Sequence, residues 1–443
     1  MKDRFLFVLI VVIDVLLGIS TVNRISICSN LAFVLLLYLI LKGNAIQAFY
    51  AVLGTCFFSD TVNLGSIGTY FVIMFVAGGK IGGYGFRNYT LPVFIILILY
   101  AIHDIFYTSF AWVLFYLSYL YFLFKVLTNL DFKKYNHLYA VGIFLVSVIL
   151  VQIFSICLSG DLASFGDDSI EYARLGEGDV EDGYNNNLDG AMGFPITSML
   201  FFTISLPILL GKRMRKKFKL FLGFLVIALF VATFFTTSKV YLLGLACLLV
   251  CLLCEVFGSE LRFSSKIGIV SFCIIAVIVL IQSGYLDIIV HRYIFRLTAS
   301  DDVTTGRSRI YSDCLSYLST NPLPLIFGSG YRGYSAIGAS NGLKFSMTAH
   351  NIILDCIMAY GLFGAIIILC LCRNFYRSVK VYCGGPRMSM LGLMPFICWF
   401  VMNFTNSSFM LAKTYVVIPF LILHMKYYRK LYYDKTFDEL QRK

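Results

Sequence analysis

Long apolar runs separated by short polar breaks extend along the chain from its first residues to about residue 425. Many runs approach the ~20 residues that a helix needs to cross a bilayer, and lengths of this kind favour helices over barrel strands. The pattern therefore predicts an all-α, polytopic transmembrane helical bundle of about 12–14 spans. We place candidate spans at 5–22, 26–41, 45–58, 66–79, 91–107, 108–128, 138–158, 194–211, 220–235, 240–257, 267–284, 350–372, 388–405 and 410–425.

Composition supports a membrane protein. Hydrophobic residues make up 59% of the 443 positions and charged residues only 14%, which is more apolar surface than a water-soluble chain can bury. The first run lacks a small-residue cleavage site, so we expect it to be retained as the first span.

The basic residues predict the orientation. With the N-terminus inside, most of the 36 Lys and Arg residues fall in cytoplasmic segments, as the positive-inside rule requires. Both termini are then cytoplasmic, and the net charge of +12 reflects topology rather than a nucleic-acid partner. The predicted organisation is N-terminal helices (1–158), an acidic loop (159–193), central helices (194–284), a large basic Gly-rich loop (285–349), C-terminal helices (350–425) and a cytoplasmic tail (426–443).

Two long loops lie on the extracytoplasmic side in this topology, and long loops between spans are often functional. The acidic loop is either a solvated connection or a surface that guides a sugar chain. In the basic loop, an apolar stripe of Ile310, Cys314, Leu315 and Leu318 predicts a short helix on the membrane surface. Thr304 or Thr305 would cap this helix, and Asn321-Pro322 would end it.

The basic loop carries cations where topology does not favour them, which indicates an anionic partner or contacts with lipid headgroups and loop carboxylates. They are Arg292, Arg296, Arg307, Arg309, Arg332 and Lys344. Gly328, Gly330 and Gly333 spell GxGxxG, but without a preceding strand a dinucleotide site is not predicted. These glycines instead allow backbone to approach a ligand closely.

His350 and Asn351 open the next predicted span. With Thr348 as the N-cap, free backbone N–H groups would face the outer surface and favour an anion. His350 is then either a phosphate contact and proton carrier or a passive interfacial side chain. Lys239, at the outer end of an upstream span, either snorkels to the interface or adds a cation to the same site.

Polar residues inside the predicted spans should face the bundle interior or water. They are Asp14, His103, Asp104, Asp355, Asn403 and Asn406. Cys251 and Cys254 form a CxxC in an apolar helix with no second pair nearby, which favours packing over metal binding or redox chemistry. No metal site is predicted.

Three segments together resemble the superfamily of O-antigen polymerases and O-antigen ligases, which are integral membrane glycosyltransferases. They are "TTSKVYLLGL" (236–245), "TTGRSRIYSDCLSYLSTNPLPLIFGSGYRGY" (304–334) and "TAHNIILDCIMAYGLFG" (348–364). Their order and spacing match over about 230–370, whereas the N-terminal half agrees only in helix number. Ser238-Lys239 departs from the Arg that is common in ligases.

The resemblance implies glycosyl transfer on the outer face of the bacterial cytoplasmic (inner) membrane, without a cofactor or metal. Arg307 and His350 are its implied catalytic residues, because Arg307 would hold a pyrophosphate and His350 would contact it or assist proton transfer. The substrate-binding candidates are Lys239, Arg292, Arg296, Arg309, Arg332 and Asn351. The implied donor is a polyprenyl-pyrophosphate-linked oligosaccharide, with membrane lipids, a chain-length regulator and a flippase as candidate partners. A surface polysaccharide polymerase is the predicted function, and a ligase to lipid A core or a lipid-linked oligosaccharide flippase is the alternative.

Overall fold

The computed structural model describes residues 2–23, 26–58, 76–79, 137–158, 190–210, 215–234, 239–258, 307–329, 351–382 and 390–404, together with positions 267, 271, 421 and 424. The described residues form helices and no strands. The helices are α1 (Lys2–Asn23), α2 (Ser26–Lys42), α3 (Ala45–Phe58), α4 (His137–Leu158), α5 (Gly190–Leu210), α6 (Lys216–Phe234), α7 (Lys239–Gly258), α8 (Arg307–Thr320), α9 (Pro322–Phe327), α10 (Ile352–Tyr382) and α11 (Met390–Phe404).

Most of these helices begin and end within a few residues of the predicted spans, with two clear differences. Helix α5 begins at Gly190, inside the range predicted as the acidic loop, because the apolar helix starts directly after the last acidic residue, Asp189. Helix α10 continues to Tyr382 and is broken at Gly361, so 350–372 is not one continuous span. The predicted spans 91–107, 108–128 and 410–425, and nearly all of 66–79 and 267–284, lie outside the described residues.

The turn between α2 and α3 shows how local sequence ends and starts these helices. Asn44 Oδ1 accepts a hydrogen bond from the Gln47 backbone N–H at 3.0 Å, and Gln47 Oε1 accepts one from the Asn44 N–H at 2.9 Å. This reciprocal pair is a capping box that satisfies two otherwise unpaired donors at the start of α3. It follows directly from an Asn and a Gln three residues apart.

The main core joins two groups of helices. Helix α1 packs on α2, α3 and α4, while α5 and α7 pack on α11 and α6 packs on α5 and α4. Aromatic rings link the groups: the Tyr50 ring centroid lies 5.2 Å from that of Phe144, which lies 6.2 Å from that of Phe201. Packing of side chains from α3, α4 and α5 therefore makes one continuous core.

The described helices bury several polar residues within their apolar core and expose many large apolar side chains. Asp14, Asp355 and Asn403 are fully buried, as predicted for polar residues inside spans; His103, Asp104 and Asn406 lie outside the described residues. Large apolar side chains point outward instead, among them Val34, Phe224, Ile227, Leu249 and Val250. Apolar side chains on the outside, with the polar residues of the spans turned inward, are the distribution that lipid favours.

Polar groups join neighbouring helices inside the bundle. Ser147 on α4 donates a hydrogen bond to the Asp14 carboxylate on α1. On the α4–α5 contact, Gln152 Nε2 donates to Thr197 Oγ1 at 2.9 Å. Such bonds tie helices together where the alternative partner would be hydrocarbon.

By length and composition, one described helical segment, Val240–Phe257, is apolar enough to cross a membrane. Shorter apolar helices accompany it at Val8–Ile19, Asn30–Lys42, Val141–Ile153, Pro195–Leu209, Ile353–Ile366 and Met390–Asn403. The number of spans and the cytoplasmic position of both termini stay predictions.

Candidate functional site

Two short helices, α8 and α9, come from the predicted basic loop, and a single residue, Asn321, separates them. Asn321 Nδ2 donates to the Tyr317 carbonyl at 2.9 Å and so takes up a carbonyl at the end of α8. Pro322 then occupies the first turn of α9, where its missing N–H costs nothing and its fixed φ suits a helix. The predicted end of the surface helix at Asn321-Pro322 is confirmed, and a second helix starts there.

The apolar face of α8 packs onto the first half of α10. Cys314 and Leu318 are buried against Leu354 and Met358, with Ile310 partly buried beside them. The predicted stripe is therefore confirmed at positions 310, 314 and 318, which share one helix face. Leu315 is the exception, because it is 59% exposed and lies off that face.

Two glycines form a close backbone contact between the end of α9 and the middle of α10. Gly328 has φ 79°, ψ 176° and Gly361 has φ 68°, ψ −176°, a combination that essentially only glycine adopts. A Cβ at Gly328 would collide with the Ala359 carbonyl, and a Cβ at Gly361 would collide with the Ile326 carbonyl. We call this contact the glycine joint.

At the glycine joint, the Met358 carbonyl accepts a hydrogen bond from outside its own helix. In an uninterrupted helix, the Met358 carbonyl would accept from the N–H four residues later, but α10 is not helical at Gly361. The Ser329 N–H donates to the Met358 carbonyl instead, at 2.8 Å. The break thus leaves a backbone acceptor that holds the loop segment against α10.

Ser329 carries a second feature of interest. Its side chain is 9% exposed, and its Oγ has no hydrogen-bond partner among the described residues. A buried hydroxyl without a partner is uncommon and is consistent with a group that bonds to a ligand. The sequence analysis did not single out Ser329; the signal available was its place between Gly328 and Gly330 in "FGSG".

The start of α10 differs from its prediction. Asn351, rather than Thr348, is the N-cap: its Oδ1 accepts from the N–H groups of Ile353 and Leu354 at 3.0 and 3.2 Å. The Asn351 N–H in turn points to the Asp355 carboxylate at 3.3 Å. The expectation of free backbone N–H groups is therefore wrong for Asn351, Ile353 and Leu354, because side-chain oxygens accept from them. An anion held beside these three residues would depend on side chains; residues 348–350 lie outside the described residues.

Asp355 adds a buried carboxylate to the first turn of α10. Its side chain is fully buried, and a negative charge at this end is favoured by the helix dipole. It was predicted only as an inward-facing polar residue. Because its carboxylate lies near the Asn351 N–H, Asp355 helps to position Asn351 at the start of α10.

The predicted site residues lie at three helix starts or outside the described residues. Lys239 is the first residue of α7, Arg307 the first and Arg309 the third of α8, and Asn351 caps α10. The structure brings α8 into contact with α10. The helix that begins at Arg307 therefore packs against the helix that Asn351 caps. The remaining candidates, His350, Arg292, Arg296 and Arg332, lie outside the described residues.

Replacing Asn351 with alanine tests the cap. We expect N351A to lower the free energy of unfolding by about 1 kcal/mol, the usual cost of losing an N-cap. Thermal unfolding in detergent measures this. Serine also caps helices well, so N351S should restore stability. S319A is the control, because the exposed Ser319 Oγ donates only to the Ser316 carbonyl within its own helix. An N351A protein as stable as the S319A protein would contradict the capping role.

Comparison with known families identifies part of the chain. Residues 196–369 match the family model Wzy_C, described as O-antigen ligase. This range runs from α5 through the glycine joint to the second half of α10 and covers about two fifths of the chain. It confirms the resemblance to the O-antigen ligase and polymerase superfamily. No curated protein and no solved structure matches this chain.

Proposed function

Starting from the O-antigen ligase domain at residues 196–369, we propose that this protein is a surface polysaccharide polymerase. It transfers a growing glycan from polyprenyl pyrophosphate onto a lipid-linked repeat unit at the outer face of the bacterial inner membrane. The family itself indicates a membrane glycosyltransferase of polysaccharide and lipopolysaccharide biosynthesis. The finer statement, the polymerase, rests on the chain length and the predicted number of spans.

The observation that carries the proposal is the docking of α8 and α9 against the broken helix α10. Irregular backbone at membrane depth is tolerated where it is buried in protein or lines a cavity, and it often marks a binding site. Here the break at Gly361 is covered by Ile326 and Phe327 of α9, within the matched family range. The outward-facing apolar side chains of the described helices, together with the inward-facing Asp14, Asp355 and Asn403, support the membrane setting.

The proposed reaction forms one glycosidic bond and breaks one bond to phosphate. A hydroxyl oxygen of the acceptor sugar attacks the anomeric carbon of the donor glycan, and the bond from that carbon to the pyrophosphate oxygen breaks. The acceptor hydroxyl proton passes to His350, and the pyrophosphate leaves with its lipid. Because pyrophosphate is a good leaving group, catalysis needs mainly charge stabilisation and positioning of the acceptor.

The cations proposed for the pyrophosphate are Arg307 and Lys239, with Arg292, Arg296, Arg309 and Arg332 as further contacts. The planar guanidinium of Arg can donate two parallel hydrogen bonds to a phosphate, whereas Lys supplies a point charge. Arg307 begins a helix, where the dipole also favours an anion. Asn351 can contribute only its amide nitrogen, because its Oδ1 already accepts two backbone bonds.

A ligase is the second candidate, because the matching family model is described as O-antigen ligase. A ligase uses the same donor but passes the glycan to lipid A core. The two activities therefore differ in the acceptor and can be compared in one reaction.

One reconstitution separates these functions. Purified protein in vesicles receives labelled lipid-linked repeat units together with lipid A core. A polymerase yields a ladder of longer lipid-linked glycans, and this is the result we expect. Label on lipid A core without a ladder would replace the proposal with a ligase. Unchanged units that only cross the vesicle membrane would replace it with a transporter.

A further inference from the structure

Three cysteines meet where α7 and α11 pack against each other. Cys247 and Cys251 lie four residues apart on one face of α7, and Cys398 faces them from α11. Their sulfur atoms all lie within 4.8 Å of one another. Cys251 and Cys398 are buried and Cys247 is half-buried. We call these residues the thiol cluster.

The sequence did not predict the thiol cluster, because it pairs Cys251 with a residue far along the chain. Cys254, the other half of the CxxC, is exposed and points away from it. Cys251 and Cys254 therefore have different surroundings, although their spacing resembles a ligand pair.

The sulfur spacing suits a metal ion. A trigonal site with metal–sulfur bonds of about 2.3 Å places its sulfurs about 4 Å apart. All three cysteines are free thiols, and their separations, all within 4.8 Å, are close to that geometry.

More sulfur surrounds the thiol cluster. Met394 and Met402 are fully buried and lie one helical turn on either side of Cys398 on α11. Met402 contacts Gly244, one turn before Cys247, and the lack of a side chain there lets the two helices approach closely. Apolar core residues, among them Leu248 and Leu252, belong to the same packed core.

This environment selects the class of ion. Zinc prefers four ligands, whereas among the described residues the side chains of this type whose ligand atoms meet here are the three cysteines. Soft thiolate and thioether ligands favour Cu(I). A monovalent ion bound by one thiolate and two neutral sulfurs is also uncharged overall, which avoids the cost of burying net charge.

We propose that Cys247, Cys251 and Cys398 form a binding site for a thiophilic monovalent cation, Cu(I). Binding displaces the proton of one thiol, which leaves to the solvent, and the ion joins α7 to α11. Because α7 begins at Lys239, the ion would also stabilise one helix of the proposed pyrophosphate site. The binding itself does not depend on the proposed function.

Competition for Cu(I) tests the site. The purified protein, kept reduced, is titrated with Cu(I) bound to bicinchoninate, and the loss of the coloured complex measures transfer. We expect C251S and C398S each to bind one Cu(I) fewer than the wild type, or to bind it at least about tenfold more weakly, since each lacks a ligand. C254S is the matched control on the same helix and should behave as the wild type. Equal loss in all three variants, or in none, would overturn the proposal.

A second measurement avoids any effect of substitution on folding. The wild-type protein is alkylated with and without Cu(I), and mass spectrometry locates the modified cysteines. Cu(I) should protect the half-buried Cys247 from alkylation while the exposed Cys254 still reacts. Modification of Cys247 that is equal under both conditions, and above zero without Cu(I), would show that the thiol cluster binds no Cu(I).

Discussion

Replacement of Arg307 with alanine is expected to abolish glycan elongation while the protein stays in the membrane. In the proposed mechanism, the Arg307 guanidinium stabilises negative charge on the departing pyrophosphate. Removing one well-placed donor of this kind typically lowers a rate by about 10²–10³-fold. Arg307 is the first residue of α8, so alanine, a strong helix former, keeps the backbone of that first turn helical. The measurement is the rate at which lipid-linked repeat units lengthen in vesicles.

Two further variants show whether charge or geometry matters. R307K keeps the positive charge but loses the two-pronged hydrogen bonding, so it should retain only part of the activity. K217A is the control, because Lys217 is exposed near the start of α6 and lies on the opposite side in the predicted topology. An R307A protein that elongates glycans at the K217A rate would show that Arg307 is not part of the site.

A methyl group at Gly361 should have the largest effect on the structure of the site. G361A forces a side chain into a backbone conformation that costs about 1–3 kcal/mol for residues other than glycine. Its Cβ would also collide with the Ile326 carbonyl, so α9 must move away from α10. We expect a clear fall in the unfolding temperature and almost complete loss of elongation. Thermal unfolding in detergent and the vesicle assay measure the two effects.

The control for G361A is the same change at a glycine that has space. At Gly223 on α6, the nearest atom to an added Cβ would be Leu209 Cδ2 at 3.7 Å, an ordinary contact. G223A should therefore keep activity and be at least as stable as the wild type, because alanine favours a helix more than glycine does. G328A should reproduce the G361A defect, since both glycines form the same joint. If G361A and G223A proved equally stable and active, the glycine joint would not be needed.

Local patterns in the sequence were enough for much of this fold. Apolar runs predicted most helices, because burial and backbone hydrogen bonding act within one segment. The Asn321-Pro322 break, the positions 310, 314 and 318 on α8, and the inward placement of Asp14, Asp355 and Asn403 followed from the same local rules. The ordered segments around Lys239, Arg307 and His350 also indicated the superfamily that the match at 196–369 supports.

Contacts between distant segments could not be predicted from these local sequence patterns. Gly361 looked like one more residue in an apolar run, and its conformation depends on the chain that packs against it near Gly328. The cap at Asn351 is a different case, because its contacts with Ile353, Leu354 and Asp355 are local, and the sequence analysis assigned the cap to Thr348 instead. Cys398 joins Cys247 and Cys251 only because α11 packs on α7. Periodicity describes which face of a helix is apolar, whereas the partner of that face is chosen by the packing of the whole chain.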